Sequence, residues 1–281
     1  MSFGERTLMY KAWFFVWIFG FAPVLGFCLE PEGNFEVKFN ADYTLTILRY
    51  TGRSQEVIVP EKIQGVTVTI IGRGAFSSEA HHNQYTGIKR LALPKSIKKI
   101  GISAFYGLKA LSSINIPQGV EIIGQYAFAG CASLKSIVIP DSVKYLGLDP
   151  DINDQMSDNG YTFAYSGLSE IKLPAGITEL RRGTFRGCKF SAFVIPEGVT
   201  AVQDLAFANC GNLANITFPA SLKTLGTQSF ASCPSLTGVN IPQSIANLDF
   251  GHAVFWESKN LSLFSQAALK QRGWNGRFDL I

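Results

Sequence analysis

Apolar and polar residues alternate over short stretches that end in proline. The clearest stretch is Ile114-Asn115-Ile116, which precedes Pro117. Alternation of this kind predicts a strand with one buried face, and the proline ends the strand because it has no N–H for the ladder. Prolines recur in this frame at positions 60, 94, 117, 140, 174, 196, 219 and 242. Their spacing of 34, 23, 23, 34, 22, 23 and 23 residues indicates an internal repeat.

The rest of each unit has its own apolar pattern. Val120 and Ile123 lie three residues apart and predict a turn-like segment that points inward, and Gly124 permits a corner. Ala127-Phe128 then places a large ring behind the strand. The ring recurs at Phe76, Phe105, Phe128, Phe163, Phe185, Phe207, Phe230 and Phe255. One unit is too small to form a core alone, so the units are expected to stack, strand beside strand, into a repeat solenoid.

The combined pattern resembles a known family. Leu111-x-x-Ile114-x-Ile116-Pro117, followed by Val120, Ile123-Gly124, Ala127-Phe128 and Cys131, is similar to the 23-residue leucine-rich repeat of BspA-like bacterial proteins, here of a treponemal exported type. The resemblance implies a leucine-rich-repeat right-handed superhelix that is mainly β, with short 3-10 or irregular convex segments. It also implies an exported or surface protein that binds other proteins and acts in adhesion.

Four regions follow from the pattern. Residues 1–28 read as a signal peptide, 29–56 as an N-terminal β-hairpin cap, 57–256 as about eight coils, and 257–281 as a C-terminal cap. A short helix is expected over Ser265–Arg272, with Ser265 as N-cap and Gly273 as its stop. Trp274 and Phe278 are expected to fold over the last coil.

The N-terminus has the layout of a secretory leader. Arg6 and Lys11 precede an uncharged stretch from Ala12 to Cys28. Two cleavages are open: ordinary cleavage after Val24-Leu25-Gly26, or lipidation of Cys28 after a bacterial lipobox, from which Phe27 departs. An uncleaved anchor is the third alternative. The chain is therefore expected in the periplasm or on the outer surface of a bacterium, with membrane contact only through the leader or a lipid.

Insertions interrupt the repeat. Ile63–Thr69 and Ser77–Gly87 extend the first long interval, and the second of these contains His81-His82, which we interpret as a solvated loop rather than a metal site. Leu148–Gly160 extends the other interval and carries Asp149, Asp151, Asp154 and Asp158. The aspartate spacing is similar to the opening of a calcium loop, but the required Gly and Glu are missing. A flexible acidic loop on the convex edge is the favoured interpretation, with calcium binding as the alternative.

Charge and cysteine usage narrow the function. The net charge of +4 is too mild for nucleic-acid binding. A basic cluster is nevertheless expected on one coil, from Lys89, Arg90, Lys95, Lys98 and Lys99. It is either plain solvated surface or a contact for a polyanionic glycan or for the acidic loop of a second copy. Cys131, Cys188, Cys210 and Cys233 share one phase of the repeat, which predicts buried structural thiols, although one bridge among the last three stays open.

The outward strand positions form a candidate concave binding face. Its members are Arg90, Ala92, Asn115, Val138, Lys172, Val194, Thr217 and Asn240. The strip is small, weakly charged and partly apolar, which suits protein contact better than a small-molecule pocket; scattered exposed apolar residues without function are the alternative.

No catalytic set is indicated. The chain has three His, two of them adjacent in a loop, and it has no phosphate loop and no zinc spacing. We therefore expect no enzyme, no metal and no cofactor. Two functions remain: a scaffold that binds a protein ligand, such as host extracellular matrix or a cell surface, or a homo-oligomeric unit of the envelope that self-associates.

Overall fold

A computed structural model describes residues 31–77, 87–151 and 160–278. Residues 1–28 with Cys28, the pair His81-His82, and Asp154 and Asp158 lie outside the described residues. The described chain is a β-solenoid of about eight turns, here called coils. No helix in these ranges is both long and apolar enough to cross a membrane.

Short strands alternate along the chain between two sheets. In chain order the elements are a 3-10 helix (Glu32–Asn34), β1 (Phe35–Phe39), β2 (Leu45–Tyr50), β3 (Glu56–Ile58), β4 (Lys62–Ile63), β5 (Val66–Ile71), β6 (Arg90–Ala92), β7 (Lys99–Ile100), β8 (Ser113–Ile114), β9 (Ile122–Ile123), β10 (Ser136–Val138), β11 (Tyr145–Leu146), β12 (Glu170–Lys172), β13 (Glu179–Leu180), β14 (Ala192–Val194), β15 (Ala201–Val202), β16 (Asn215–Thr217), β17 (Thr224–Leu225), β18 (Gly238–Asn240), β19 (Asp249–Phe250) and α1 (Leu263–Lys270).

The first sheet consists of the strands that precede the repeated prolines. They pair in parallel in the groups β3-β6-β8, β10-β12 and β14-β16-β18. The register places the first residues of successive strands side by side, as for Ala192, Asn215 and Gly238. The strands predicted from the alternating pattern are therefore present.

The second sheet lies where the sequence indicated a turn-like segment. It contains β5-β7-β9-β11 and, in a separate group, β13-β15-β17-β19, all parallel. Each of these strands after β5 has two residues, and Ile100, Ile123 and Leu225 are buried. The segments after the prolines are thus strands joined by turns. Within the described ranges the one 3-10 helix is Glu32–Asn34, before the first strand.

The N-terminal end is closed by antiparallel strands. β1 and β2 form a hairpin, and β2 pairs in parallel with β5, so the hairpin continues the second sheet. The insertion after Pro60 forms another hairpin, β4-β5. Its turn, Gln64-Gly65, has φ values of 51° and 80°, as expected for a two-residue hairpin loop.

One aromatic stack runs through the core from end to end. Neighbouring ring centroids lie 5.2–5.8 Å apart from Tyr50 through the eight repeated phenylalanines to Trp274. The stack crosses both long intervals, with 5.4 Å between Phe76 and Phe105 and 5.6 Å between Phe128 and Phe163. The insertions therefore leave the core continuous.

In most coils two backbone positions have a positive φ: the residue two before the stacked phenylalanine and the residue two after it. Around Phe207 they are Leu205 (φ 57°) and Asn209 (φ 62°). Glu257 (φ 56°) holds the second position in the last coil, while glycine holds it in three earlier coils, at Gly107, Gly130 and Gly187. A side chain in this region costs roughly 1–2 kcal/mol relative to ordinary backbone.

Glu257→Gly is expected to raise the free energy of unfolding by about 0.5–1 kcal/mol, because glycine removes the left-handed strain and retains part of its entropic cost. Gln243→Gly is the control, since Gln243 is also exposed but its φ is not positive. Chemical denaturation of both variants measures the effect. Equal destabilisation by the two substitutions would contradict this account.

The N-cap of the C-terminal helix lies three residues before the predicted one, Ser265. Ser262 is the N-cap, and its side chain accepts a hydrogen bond from the Ser265 N–H at 3.1 Å. The Ser265 hydroxyl is buried and instead accepts from the Val239 N–H at 3.0 Å, so it satisfies an edge donor of β18. Sequence alone could not separate the two serines because both suit an N-cap. Trp274 is buried and contacts Phe255.

Candidate binding surface

The candidate face consists of the first and third residues of the strands in the first sheet, together with Asn115, which directly follows β8. The middle residue of each strand points into the core, as for Leu91, Ile137 and Val239. The flanking residues point outward because successive side chains of a strand alternate between faces. Arg90, Asn115, Val138, Lys172, Val194 and Asn240 are exposed, and Ala92 and Thr217 are half-buried.

Several polar members of this face bond within the sheet. The Asn115 side chain accepts from the Leu93 N–H at 2.9 Å and donates to the Leu93 carbonyl at 3.0 Å. The Asn240 amide donates to the Thr217 hydroxyl at 3.2 Å, and Arg90 forms an ion pair with Glu56. These side chains link neighbouring coils, so a ligand would have to displace internal bonds to use them.

The apolar members are the most accessible. Val138 is 59% exposed and Val194 is 70% exposed. Lys172 stands beside Val138 in the ladder, and β14, which carries Val194, belongs to the next coil. The middle of the first sheet thus presents two valines around a lysine, which is the part of the face best suited to burial by a protein.

The basic cluster is divided by the fold. Lys89 and Arg90 stand at the first sheet, whereas Lys98 and Lys99 stand at the second. Arg90 forms an ion pair with Glu56. The Lys99 ammonium lies 2.7 Å from the Asp149 carboxylate and 2.8 Å from the Asp151 carboxylate. A single surface of five uncompensated charges is therefore not formed.

Lys99 anchors the start of the acidic insertion. The Asp149 side chain is 1% exposed, whereas the sequence led us to expect this aspartate on a flexible acidic loop. Burial alone would lower the pKa of Lys99, but its hydrogen bonds to Asp149 and Asp151 outweigh burial and raise that pKa above its ordinary value. In the described ranges no group of three or more His, Cys, Asp or Glu side chains is placed to hold a metal ion.

The four repeat cysteines are buried free thiols. Each donates to the carbonyl of a phenylalanine in the preceding coil, as Cys210 does to Phe185 at 3.1 Å and Cys233 to Phe207 at 3.1 Å. Burial raises the pKa of Cys131, Cys188 and Cys233 to about 12. These thiols therefore serve packing and linkage between coils, because a reactive cysteine needs an accessible thiolate.

Cys210→Ser is expected to be tolerated better than Cys210→Ala. Serine retains a donor for the Phe185 carbonyl, as Ser258 does for the Phe230 carbonyl at 2.6 Å in the same phase. Alanine removes this bond and leaves the carbonyl with the Cys188 N–H alone, at 3.1 Å, so the loss is expected to be about 0.5–1.5 kcal/mol. Thermal and denaturant unfolding of the two variants gives the comparison, and an alanine variant as stable as the serine variant would rule out the linking role.

Sequence reasoning missed an exposed apolar pair on α1. Leu263 is 84% and Phe264 80% exposed. Phe264 follows Leu261 by three residues, and Val239 in β18 follows Leu236 by the same distance. The repeat pattern would therefore place Phe264 in a strand. The helix replaces that strand and turns Phe264 outward. The available signal was the departure from the Ile-x-Ile-Pro pattern after Phe264.

Comparisons with known proteins agree with this architecture. The family model for the BspA type leucine rich repeat region matches residues 69–149 and 158–266, in six copies. A leucine rich repeat protein of T. pallidum is 24% identical, with a TM-score of 0.58, over 90% of this chain and 100% of that chain. A leucine rich cell surface protein of Faecalibacterium prausnitzii is 21% identical, with a TM-score of 0.54, over 84% and 76% of the two chains.

A leucine-rich repeat protein of Bacteroides ovatus is likewise 21% identical, with a TM-score of 0.55, over 84% of this chain and 69% of that chain. No curated protein matches the chain. The solved structures establish the fold, and the family model covers more than half of the sequence. Leucine-rich repeat solenoids of this kind are generally protein-binding scaffolds. The chain belongs to the BspA-type leucine-rich repeat family.

Proposed function

We propose that this protein is an exported scaffold that binds a protein partner through the middle of the first sheet and acts in adhesion to a host or another cell. The exposure of Val138 and Val194 carries the proposal, because the neighbouring polar side chains are occupied by bonds within the sheet. Two valines around Lys172 offer an apolar centre with a polar surround, which is the usual arrangement of a protein interface. The proposal involves no catalytic residue, metal or cofactor.

Export rests on the sequence of residues 1–28, with lipidation of Cys28 as one way of holding the protein at a membrane. The F. prausnitzii relative in fold is described as a cell surface protein, which supports a surface location here. Host extracellular matrix is the partner class that fits adhesion. Protease shaving of intact cells, with a periplasmic protein as control, distinguishes the outer surface from the periplasm.

Val138→Asp combined with Val194→Asp is expected to weaken binding to immobilised extracellular-matrix extract by at least about tenfold, which corresponds to about 1.4 kcal/mol. Each carboxylate would have to be desolvated at the centre of the interface, and a contact with Lys172 offsets only part of that cost. Tyr43→Asp is the control, since Tyr43 is 81% exposed but belongs to the N-terminal cap. Surface plasmon resonance measures the change; equal binding by the valine variant and wild type would refute the proposed face.

A self-associating envelope unit without a host ligand is the second candidate. It is favoured by apolar side chains exposed at both ends of the solenoid: Phe39 and Tyr43 on the N-terminal cap, and Leu263 and Phe264 on α1. Sedimentation of wild type, the valine variant and a variant with Phe39→Asp and Phe264→Asp separates the two functions. Loss of ligand with an unchanged oligomeric state supports the scaffold, whereas loss of an oligomer supports self-association.

A further inference from the structure

The second sheet is interrupted at one junction of the described chain, between β11 and β13. At every other junction from β5 to β19 two N–H groups donate to the preceding coil. One lies just before the strand (in β19 it is the first residue, Asp249), and the other lies just after the strand. Between β7 and β9, for example, Glu121 donates to Lys98 at 2.8 Å and Gly124 to Ile100 at 2.9 Å. The equivalent bonds, from Thr178 to Lys144 and from Arg181 to Leu146, are not formed.

An arginine beside the neighbouring coil accompanies the interruption; the absence of glycine is not sufficient, because Gln203 after β15 still donates to Leu180 at 2.8 Å. The residue after the short strand is glycine in most coils. A Cβ atom at this position would clash with the preceding coil. At Gly124 it would lie 2.7 Å from the Ile102 nitrogen, and at Gly226 it would lie 2.5 Å from the Asp204 nitrogen. Arg181 holds this position after β13, and its Cδ lies 3.7 Å from the Cβ site of Gly147. The arginine side chain thus occupies the space that the backbones share elsewhere.

The interruption leaves an open slot on one side of the solenoid. Its walls include Val143, Lys144 and Tyr145 from the β11 coil and Ile177, Thr178 and Glu179 from the β13 coil. The same two coils stay joined elsewhere, through the β10-β12 ladder and the stacking of Phe163 on Phe185 at 5.8 Å. The slot is therefore a local opening held by a rigid frame.

The unpaired groups define what the slot recognises. One wall offers the carbonyls of Lys144 and Leu146, and the other offers the N–H groups of Thr178 and Arg181, so the two walls are the separated halves of a parallel ladder. We propose that an extended peptide segment of a partner protein binds in this slot by adding a strand to the second sheet. An extended backbone carries donors and acceptors at the ladder spacing, which is the basis of recognition by strand addition.

The slot's side chains favour main-chain recognition over charge recognition. Lys144 pairs with Glu121 at 2.7 Å, and Arg181 pairs with Glu179, so the rim is electrically balanced. Tyr145 is 41% exposed beside the slot and can contact an alternate side chain of the peptide. Binding is expected to depend weakly on salt, and this second site is separate from Val138 and Val194 on the first sheet.

Selection of a phage-displayed library of random peptides of about 10 residues, the upper length of ordinary strands, tests the proposal on the whole protein. Selected peptides should protect the Thr178 and Arg181 amides from hydrogen exchange, and these amides should exchange faster than those of Thr200 and Gln203 in the free protein. Thr178→Pro, which removes one donor, and Arg181→Gly, which lets the coils close, should each weaken binding at least about tenfold. Thr178→Val retains the N–H and is the matched control.

The same peptides with N-methyl groups at alternate amides should lose binding to the slot. Val138→Asp should leave peptide binding to the slot unchanged. Failure of the proposed face on the first sheet and failure of the slot proposal are therefore distinguishable. The inference would be overturned if the library yielded no binders, or if neither N-methylation nor Thr178→Pro affected binding. It would also be overturned if the Thr178 and Arg181 amides of the free monomer were protected from exchange as strongly as the equivalent amides of the other coils. A concentration-dependent dimer that protects these amides would identify a second copy as the occupant and would also overturn it.

Discussion

Phe185→Ala is expected to lower the free energy of unfolding by about 3–5 kcal/mol. Phe185 is fully buried and packs between Phe163 at 5.8 Å and Phe207 at 5.4 Å, with Phe193 at 5.2 Å. The ladders on either side hold the coils at a fixed spacing, so the surrounding structure cannot collapse into the cavity. The loss therefore includes both the transfer of the ring and the cavity it leaves.

The position of Phe185 gives this substitution a second consequence. A solenoid is stabilised by contacts between neighbouring coils, so a weak interface in the middle separates the two halves. Among the described residues the tryptophans are Trp256 and Trp274, in the last coil and the C-terminal cap. Guanidinium unfolding followed by tryptophan fluorescence therefore reports the C-terminal half, while circular dichroism reports the whole chain, and the two transitions are expected to diverge in the variant.

Phe39→Ala is the control for this prediction, because Phe39 is 55% exposed and lies outside the stack. It is expected to change stability by less than about 0.5 kcal/mol, as surface substitutions usually do. A Phe185→Ala variant with coincident transitions and a loss as small as that of the control would show that the aromatic stack does not couple the coils.

The first sheet and the aromatic stack were predictable because their signals are local. Ile-x-Ile-Pro identifies a strand and its end within four residues, as at Ile114–Pro117, and the fixed spacing to Phe128 places the ring. The second sheet was not predictable in this way. A two-residue strand such as Ile122–Ile123 is too short to show alternation, and it forms because the first sheet already holds the coils in register.

The candidate face was predictable only in outline. Alternation identifies the outward positions, so the exposure of Val138 and Val194 follows from the pattern. The bonds that occupy other members do not, because their partners are a coil away: Asn115 bonds to Leu93, and Arg90 pairs with Glu56. Lys99 and Asp149 are 50 residues apart in sequence. The sequence therefore indicated a basic cluster and an acidic loop as two separate surfaces, although Lys99 of the first pairs with Asp149 of the second.

Lys99→Met is expected to lower the free energy of unfolding by about 3–5 kcal/mol, because it leaves the buried Asp149 carboxylate without its cation. Lys144→Met is the matched control: its partner is Glu121, and the two side chains are 66% and 45% exposed, so its loss should be below about 1 kcal/mol. Urea unfolding of both variants measures the difference. Losses of equal size would show that the buried pair does not anchor the insertion.

The same pair has a pH dependence with a defined sign. The folded-state pKa of Lys99 is raised above its ordinary value of 10.5 by the hydrogen bonds to Asp149 and Asp151, so folding favours the protonated amine. The stability from this group is fully present below the unfolded pKa and is lost as the pH rises through the folded pKa. The gap between wild type and Lys99→Met is therefore expected to stay constant from neutral pH to just below 10.5 and to narrow above it. A gap that widened above that pH would contradict the assignment of the pair.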